Sequence, residues 1–214
     1  MDIVMLLFPR MTALDYVGPH EVLSRLPGVT VHRAAVVPGR IWCDSGMGLI
    51  ADHGIAEIST ADVLLIPGGS GIGPLLVNTQ VIEWVQALAA KAEWTTSVCT
   101  GSLLLGAAGL LRDKPATTHW YATKKLATFG AQPTHQRVVE SGNIITAAGV
   151  SAGIDMALTL AARLRGEDIA QAIQLGLEYD PQPPFDSGSP LKASAAIKAT
   201  VEKVMFRDDP APVS

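Results

Sequence analysis

The sequence has little cysteine and no concentrated positive charge, and both shortages exclude classes of protein. Cys43 and Cys99 are the only cysteines among 214 residues, which is too few for a disulfide framework or a cysteine-rich metal site. The formal net charge is −4 and no cluster of lysine or arginine forms a basic patch. We therefore expect no nucleic-acid partner.

Long hydrophobic runs and targeting features are also absent. No apolar stretch approaches the length of a membrane span, so we expect no membrane association. The chain begins Met1-Asp2-Ile3-Val4, without the basic region that opens a secretory signal peptide. We therefore expect a cytoplasmic protein.

The apolar residues that are present alternate between strand-like and helix-like patterns. Hydrophobic residues make up 48% of the chain, charged residues 17%, and the mean hydropathy is +0.29, which favours a sizeable core. Strands are predicted at residues 3–8, 29–37, 63–66 and 95–98, with hairpins at 41–52 and 138–146. Helices are predicted at residues 19–26, 79–92, 101–108, 120–129, 154–164, 168–177 and about 192–204, and the Pro-rich residues 179–190 are predicted to be irregular. This alternation predicts one doubly wound α/β domain over residues 1–214.

Cys99 lies where a predicted strand meets a predicted helix. The run Ser97-Val98-Cys99-Thr100-Gly101 has the form of a nucleophile elbow, a sharp turn that carries a nucleophile between a strand and a helix. Unpaired N–H groups at the start of that helix favour the thiolate, which is the reactive form. The small residues Gly101, Ser102 and Gly106 would let the helix lie close to the sheet. The alternative is that Cys99 only packs the end of the strand.

Two further features are predicted at the same edge of the sheet. Asp15 falls in the predicted loop after the first strand, at the carboxyl edge where open parallel sheets bind ligands. The alternative is a helix-capping or turn carboxylate. Residues 67–73 form a glycine-rich loop after another strand and lack the Lys-Ser/Thr of a P-loop. This loop is interpreted as a source of a backbone N–H directed at developing negative charge, or else as a plain glycine-rich turn.

Other residues are open between a functional and a structural role. His119 is a catalytic base, a dimer contact or a histidine satisfied near a helix start. Val150, in the loop of residues 148–150, is the wall of a small apolar pocket beside the elbow or an ordinary core residue. The neighbouring Ala148 and Gly149 are small, which leaves room for the helix that carries Cys99 to shift when the thiolate loses its charge in a covalent intermediate. Cys43, in the first hairpin, is interpreted as structural.

Six stretches spanning nearly the whole chain carry a family resemblance: residues 14–23, 66–69, 96–102, 116–120, 151–155 and 177–190. Together they resemble the ThiJ/PfpI-like superfamily and, within it, the isocyanide hydratases. The Pro-Gly-Gly loop and the elbow cysteine are typical of the whole superfamily. Residues 14–19, 99–101 and 116–120 resemble the sensor domains of AraC-type regulators as well. The Pro-rich residues 179–190, with no helix-turn-helix after them, favour the stand-alone hydratases.

The resemblance implies a flavodoxin-like sandwich with helices on both faces of a mostly parallel sheet, a homodimer and a small-molecule isocyanide substrate. It implies Cys99 as the nucleophile and Asp15 as the general acid/base, with Thr100 and Gly69 supplying stabilising contacts. Hydration through a Cys99 thioimidate needs one nucleophile and one proton shuttle, so we expect no metal and no other cofactor. The alternative is a non-catalytic redox- or ligand-sensing module, in which Cys99 reports oxidation and no proton source is needed.

Overall fold

A seven-stranded sheet forms the centre of the computed structural model, which describes residues 1–205. The strands in chain order are β1 (Asp2–Leu6), β2 (Thr30–Ala35), β3 (Gly39–Trp42), β4 (Gly48–Ala51), β5 (His53–Gly54), β6 (Val63–Ile66), β7 (Trp94–Val98), β8 (Pro115–Ala116), β9 (Gln132–Pro133), β10 (Val138–Ser141) and β11 (Ile144–Ala147). The central sheet has the order β10-β11-β7-β6-β1-β2-β5. Every neighbouring pair in it is parallel except the antiparallel hairpin β10–β11.

The described residues also form seven α-helices, and those before residue 178 cover the sheet in two groups. In chain order they are α1 (Ala13–Leu23), α2 (Thr79–Ala89), α3 (Gly101–Ala107), α4 (Thr123–Ala127), α5 (Ala152–Arg165), α6 (Glu167–Gly176) and α7 (Ala195–Met205), with short 3-10 helices at Ile55–Glu57, Ser70–Val77 and Trp120–Ala122. Helices α1 and α6 both contact α5, whereas α2 and α4 both contact α3. The predicted flavodoxin-like, doubly wound α/β class is confirmed. Over residues 1–205, none of the helices combines the length and the apolar character that crossing a membrane requires.

The central strands are buried along their whole length because helices cover both faces of the sheet. All four residues of β6 are fully buried, and β1 is buried from Ile3 to Leu6. Continuous apolar runs of this kind are typical of parallel strands. The register pairs β1, β6, β7 and β11 side by side and in parallel, so the segments after these four strands emerge at one edge. This edge holds the candidate site.

Helix α1 begins earlier than the sequence pattern predicts. The prediction started the helix at Pro19 and left Asp15 in a loop, whereas α1 places Asp15 in its first turn and Pro19 in its interior. Proline lacks the N–H that would bond to the carbonyl of Asp15, which ordinarily ends or kinks a helix. The Pro19 ring packs on α5, where a Cβ on Gly153 would lie 3.1 Å from Pro19 Cγ. Packing between α1 and α5 therefore outweighs the local helix-breaking tendency.

The other predicted elements form, with differences at their ends. Both hairpins are present as the antiparallel pairs β3–β4 and β10–β11. The helix predicted up to Phe129 is a 3-10 turn over Trp120–Ala122 followed by α4. The sequence pattern does not predict the 3-10 helix Ser70–Val77 or the strands β5, β8 and β9, because such short elements carry no hydrophobic period.

The chain divides into two compact units, of which the second begins at Glu178. In the described part of that unit, residues 179–190 contain neither helix nor strand, as predicted, and α7 starts at Ala195 rather than 192. Four large apolar side chains of this unit are exposed: Phe185, Leu191, Ile197 and Val204. The single domain over residues 1–214 stays a prediction.

Candidate active site

Cys99 occupies the turn between β7 and α3 in a strained backbone conformation. Its φ is 57°, in the left-handed region that residues with a side chain rarely adopt. Hydrogen bonds hold the turn from both sides. The Cys99 N–H donates to the carbonyls of Ala147 at 3.1 Å and Ala148 at 2.9 Å, while its carbonyl accepts from Ser102 Oγ at 3.2 Å and Thr118 Oγ1 at 3.0 Å. The predicted strand–turn–helix geometry at Cys99 is confirmed.

Gly101 explains how closely α3 approaches the sheet. A Cβ at this position would lie 2.1 Å from the carbonyl oxygen of Ile66, at the end of β6. This carbonyl belongs to the main chain of a buried strand and cannot move aside, so no side chain fits at position 101. The predicted role of small residues at the start of this helix is therefore borne out at Gly101.

Asp15 is a fully buried carboxylic acid in the first turn of α1. Its Oδ2 accepts a hydrogen bond of 2.9 Å from the N–H of Gly68. Its Oδ1 is buried and has no hydrogen-bond partner among the residues that the structure describes. A buried polar atom without a partner is costly and is typical of a functional site, where a substrate or water supplies the missing bond.

The turn at Gly68 and Gly69 connects Asp15 to the elbow. A Cβ on Gly68 would lie 2.5 Å from the Thr100 nitrogen and 2.9 Å from Asp15 Oδ2, so this residue must be glycine. The Gly69 N–H donates to Thr100 Oγ1 at 2.9 Å, and the Thr100 hydroxyl donates to the Gly69 carbonyl at 3.3 Å. The family resemblance implies that Gly69 supplies a stabilising contact. In the structure its N–H is bonded to Thr100, and the N–H of Gly68 faces the carboxylate instead.

The side chains of Asp15 and Cys99 interact, and each changes the titration of the other. Burial raises the pKa of Asp15 to about 7, although the Gly68 N–H and contact with the thiol oppose the shift. Burial, and then the negative charge of Asp15, raise the pKa of the Cys99 thiol, while the N–H groups of Thr100 and Val150 lower it. The expectation that the start of α3 favours the thiolate holds for the Thr100 N–H, but burial outweighs this effect. The two side chains therefore titrate as a coupled pair.

Ionisation of Asp15 should destabilise the folded protein. Because burial raises the pKa of Asp15 from 3.8 to about 7, the folded state binds more protons than the unfolded state between these values. The contribution of Asp15 to the free energy of unfolding should be largest below about pH 4 and fall by up to about 4 kcal/mol by pH 7. Urea unfolding of the parent and of Asp15→Asn across this range isolates the contribution of Asp15. A stability difference that does not change with pH would contradict the shifted pKa.

The segment after β11 supplies the third wall of the site. The Val150 N–H faces the Cys99 sulfur, and the side chain of Val150 is half-buried against the core. Gly149 lies against His119, whose Nδ1 accepts a hydrogen bond of 3.4 Å from the N–H of Tyr121. Burial lowers the pKa of His119. The sequence indicates that this segment lies beside Cys99, but it does not show that the Val150 N–H faces the sulfur.

Two other residues complete the surroundings of the pair. Asp44, in the β3–β4 hairpin, accepts a hydrogen bond of 2.7 Å from Thr12 Oγ1, and its charge adds to the raised pKa of Asp15. No sequence signal distinguishes Asp44 from an ordinary turn residue. Cys43 is buried in the same hairpin, with its N–H bonded to the Met47 carbonyl, which agrees with a structural role.

Within residues 1–205, no three His, Cys, Asp or Glu side chains are grouped so as to hold a metal ion.

A cysteine elbow beside a buried carboxylic acid, at the carboxyl edge of a mostly parallel sheet, defines the class of α/β proteins built around a nucleophile elbow. Residues 1–163 match the model of the DJ-1/PfpI family, and the chain belongs to this family. The resemblance to the ThiJ/PfpI-like superfamily is thereby confirmed.

Individual relatives agree with this assignment. The chain is 48% identical over 199 residues to the isonitrile hydratase of Pseudomonas putida, covering 92% of this chain and 86% of that one. A ThiJ/PfpI family protein from Pseudomonas syringae has a similar structure, with a TM-score of 0.92 and 39% identity over 96% of this chain and 86% of the other. The transcriptional regulator GbdR of Pseudomonas aeruginosa is 28% identical over 81% of this chain but only 48% of its own length.

Proposed function

We propose that the chain is an isocyanide hydratase, which adds water to R–N≡C and releases the N-substituted formamide R–NH–CHO. The observation that carries the proposal is the buried pair of Asp15 and Cys99, because it places one nucleophile and one proton carrier together away from bulk water. The similarity to an isonitrile hydratase supplies the substrate class, since isonitrile and isocyanide are two words for one functional group.

In the first step, the Cys99 thiol passes its proton to the Asp15 carboxylate as sulfur attacks the terminal carbon of the isocyanide. That carbon accepts a nucleophile and then carries a lone pair, so Asp15 returns the proton to the same atom. The product is the thioimidate R–N=CH–S–Cys99. The S–H bond has been added across one carbon, and Asp15 is ionised again, as it was at the start.

In the second step, Asp15 accepts a proton from water while the water oxygen attacks the thioimidate carbon. The proton passes to the nitrogen, which gives the tetrahedral adduct R–NH–CH(OH)–S–Cys99. The C–S bond then breaks, the sulfur takes up the hydroxyl proton through Asp15, and the formamide leaves. One carboxylate with a pKa near 7 serves as base and acid in turn, because its two protonation states are then close in energy.

The main chain around the sulfur supports both steps. The N–H groups of Thr100 and Val150 stabilise negative charge on Cys99 sulfur when it attacks and when it leaves. An isocyanide has no hydrogen-bond donor, so an aliphatic wall at Val150 suits it better than charged groups.

Turnover of a simple isocyanide tests the proposed function. Phenyl isocyanide and cyclohexyl isocyanide are incubated with the protein, and the loss of substrate and the formation of the formamide are followed by ultraviolet absorbance and chromatography. We expect catalytic formation of the formamide in both cases. Product formation no faster than with the Cys99→Ser variant would exclude a hydratase acting on such isocyanides.

A sensing module remains the second candidate, because the likeness to GbdR covers 81% of this chain. Peroxides react with the thiolate, so a redox sensor benefits from a thiol with a low pKa. Here burial and Asp15 raise the pKa of Cys99, which disfavours this role. A hydratase tolerates the raised pKa, since Asp15 removes the proton during the attack itself.

Thr100 is proposed to act by holding the turn that binds Asp15. Thr100→Val removes the bond that Gly69 N–H donates and the one that Gly69 carbonyl accepts, so the neighbouring Gly68 N–H loses its fixed position. At about 1 kcal/mol for each of the two bonds, turnover should fall by up to about thirtyfold. Thr100→Ser keeps the hydroxyl and should stay close to the parent. Steady-state rates measure both variants, and a fully active Thr100→Val would show that the hydroxyl is not needed.

The active form is proposed to be a homodimer. The exposed apolar side chains of the second unit, namely Phe185, Leu191, Ile197 and Val204, favour burial against another surface. Sedimentation equilibrium should give twice the chain mass of 22.5 kDa at micromolar concentration. A species with the mass of one chain under those conditions would rule out the dimer.

A further inference from the structure

Gly149 is in van der Waals conflict with any side chain, and the reason is His119. A Cβ at position 149 would lie 2.9 Å from His119 Cδ2 and 3.4 Å from its Nε2. The φ of Gly149 is outside the left-handed region, so the backbone conformation itself does not demand glycine. The close approach of the imidazole is therefore what excludes a side chain here.

His119 is itself attached to the elbow. It follows Thr118, whose hydroxyl donates to the carbonyl of Cys99 at 3.0 Å. Its Nδ1 accepts the N–H of Tyr121, and its ring is 5.8 Å from that of Trp120. These contacts fix the imidazole relative to the turn that carries the thiol.

Hydrogen bonds connect the segment around the Gly149–Val150 peptide to the Cys99 turn and to the start of α5. The preceding carbonyl, that of Ala148, accepts the N–H of Cys99 at 2.9 Å. The Gly149 carbonyl accepts the N–H of Ala152 at the start of α5, also at 2.9 Å. The Val150 N–H is then left to face the sulfur.

We propose that His119 is a positioning residue whose imidazole, packed on Gly149, holds the Val150 N–H against the sulfur of Cys99. His119 touches neither reacting atom in this role and transfers no proton. The proposal rests on the proposed function only for its effect on turnover, because the reactivity of the thiol can be measured without an isocyanide.

Asparagine separates this role from that of a base. Its Oδ1 and Nδ2 occupy the places of Nδ1 and Cδ2 in histidine, so His119→Asn keeps both the acceptor for Tyr121 and the atom nearest Gly149. It removes the titratable ring. A positioning residue survives this change, and a catalytic base does not.

The experiment measures the rate of Cys99 alkylation by iodoacetamide from pH 6 to 10, in a Cys43→Ser background where Cys99 is the only thiol. Asp15, the charged side chain that faces the sulfur from α1, is kept in every variant. Gly149→Ala should raise the apparent pKa of the thiol by about one unit and slow alkylation below that pKa about tenfold, because the Val150 N–H moves away. His119→Ala should act in the same direction, whereas His119→Asn should match the parent. Gly176→Ala is the matched control, since no atom lies within 4 Å of its added Cβ.

The double variant His119→Ala with Gly149→Ala gives the sharpest outcome. Removal of the imidazole makes room for the new methyl group, so the double variant should react at least as fast as His119→Ala alone, which is strong non-additivity. Parent-like alkylation by Gly149→Ala would overturn the proposal. So would a His119→Asn variant as impaired as His119→Ala, because it would show that the acceptor and the packing atom kept by asparagine are not what His119 contributes. If the parent protein shows the expected alkylation but does not hydrate isocyanides, the result would count against the proposed function and not against the role of His119.

Discussion

Replacement of Cys99 by serine should abolish isocyanide hydration and leave the fold intact. The side chain is 5% exposed, and the turn is held by four hydrogen bonds to the N–H and the carbonyl of Cys99, none of which involves the sulfur. Serine is close in size, so the turn should form as before. Its hydroxyl has a much higher pKa than a thiol, and Asp15, with a pKa of about 7, is too weak a base to deprotonate it.

The matched control is Cys43→Ser, since Cys43 is also buried and uncrosslinked. It should keep most of the activity, because Cys43 lies in the β3–β4 hairpin and touches neither reacting group. Formamide formation is measured for both variants, and circular dichroism and thermal unfolding show that both are folded. An inactive Cys43→Ser beside an active Cys99→Ser would reverse the assignment of the nucleophile.

The sequence predicts those parts of the fold that local pattern decides. Residues 63–66 are recognised as a buried strand because an unbroken apolar run between Asp62 and Pro67 suits a strand covered on both faces. The elbow is recognised because its strand formers, its cysteine and its small residues are adjacent in sequence. The start of α1 is not recognised, since the contact between Pro19 and α5 joins residues far apart in the chain.

In the candidate site, the sequence identifies the reactive side chains but not the main-chain groups that surround them. Cys99 and Asp15 can be proposed from residue type and from the strand edge to which each is attached. The N–H groups of Gly68 and Val150 cannot, because any residue except proline carries an N–H and only the folded geometry directs it. Asp44 cannot be identified from the sequence either, because its effect on the pKa of Asp15 depends on where the β3–β4 hairpin lies in space.

The site is assembled at a cost in stability. Asp15 is buried with an unpaired Oδ1, Cys99 has a strained backbone, and the negative charge of Asp15 disfavours the thiolate of Cys99. None of these features is needed to close the core, and each has a use in the proposed reaction. Burial brings the carboxylic acid to a pKa near 7, and the coupling leaves one proton for the pair to exchange.

Asp15→Asn should therefore change three measurements in different directions. Hydration should slow by on the order of 10²-fold or more, because the amide can neither accept the thiol proton nor return it to carbon. The alkylation of Cys99 at a fixed pH should become faster, since the charge that raises the pKa of the thiol is gone. The free energy of unfolding near pH 7 should increase relative to the parent, as the buried charge is removed.

The three measurements together separate proton transfer from simple damage to the site. Asp168→Asn, in the exposed first turn of α6, is the matched control and should leave all three unchanged. A misfolded Asp15→Asn site would lower hydration and stability together, whereas removal of the buried charge lowers hydration and raises stability near pH 7. Near-normal hydration by Asp15→Asn, with the faster alkylation observed, would remove Asp15 from the mechanism, because it would show that the thiol attacks and the carbon is protonated without it.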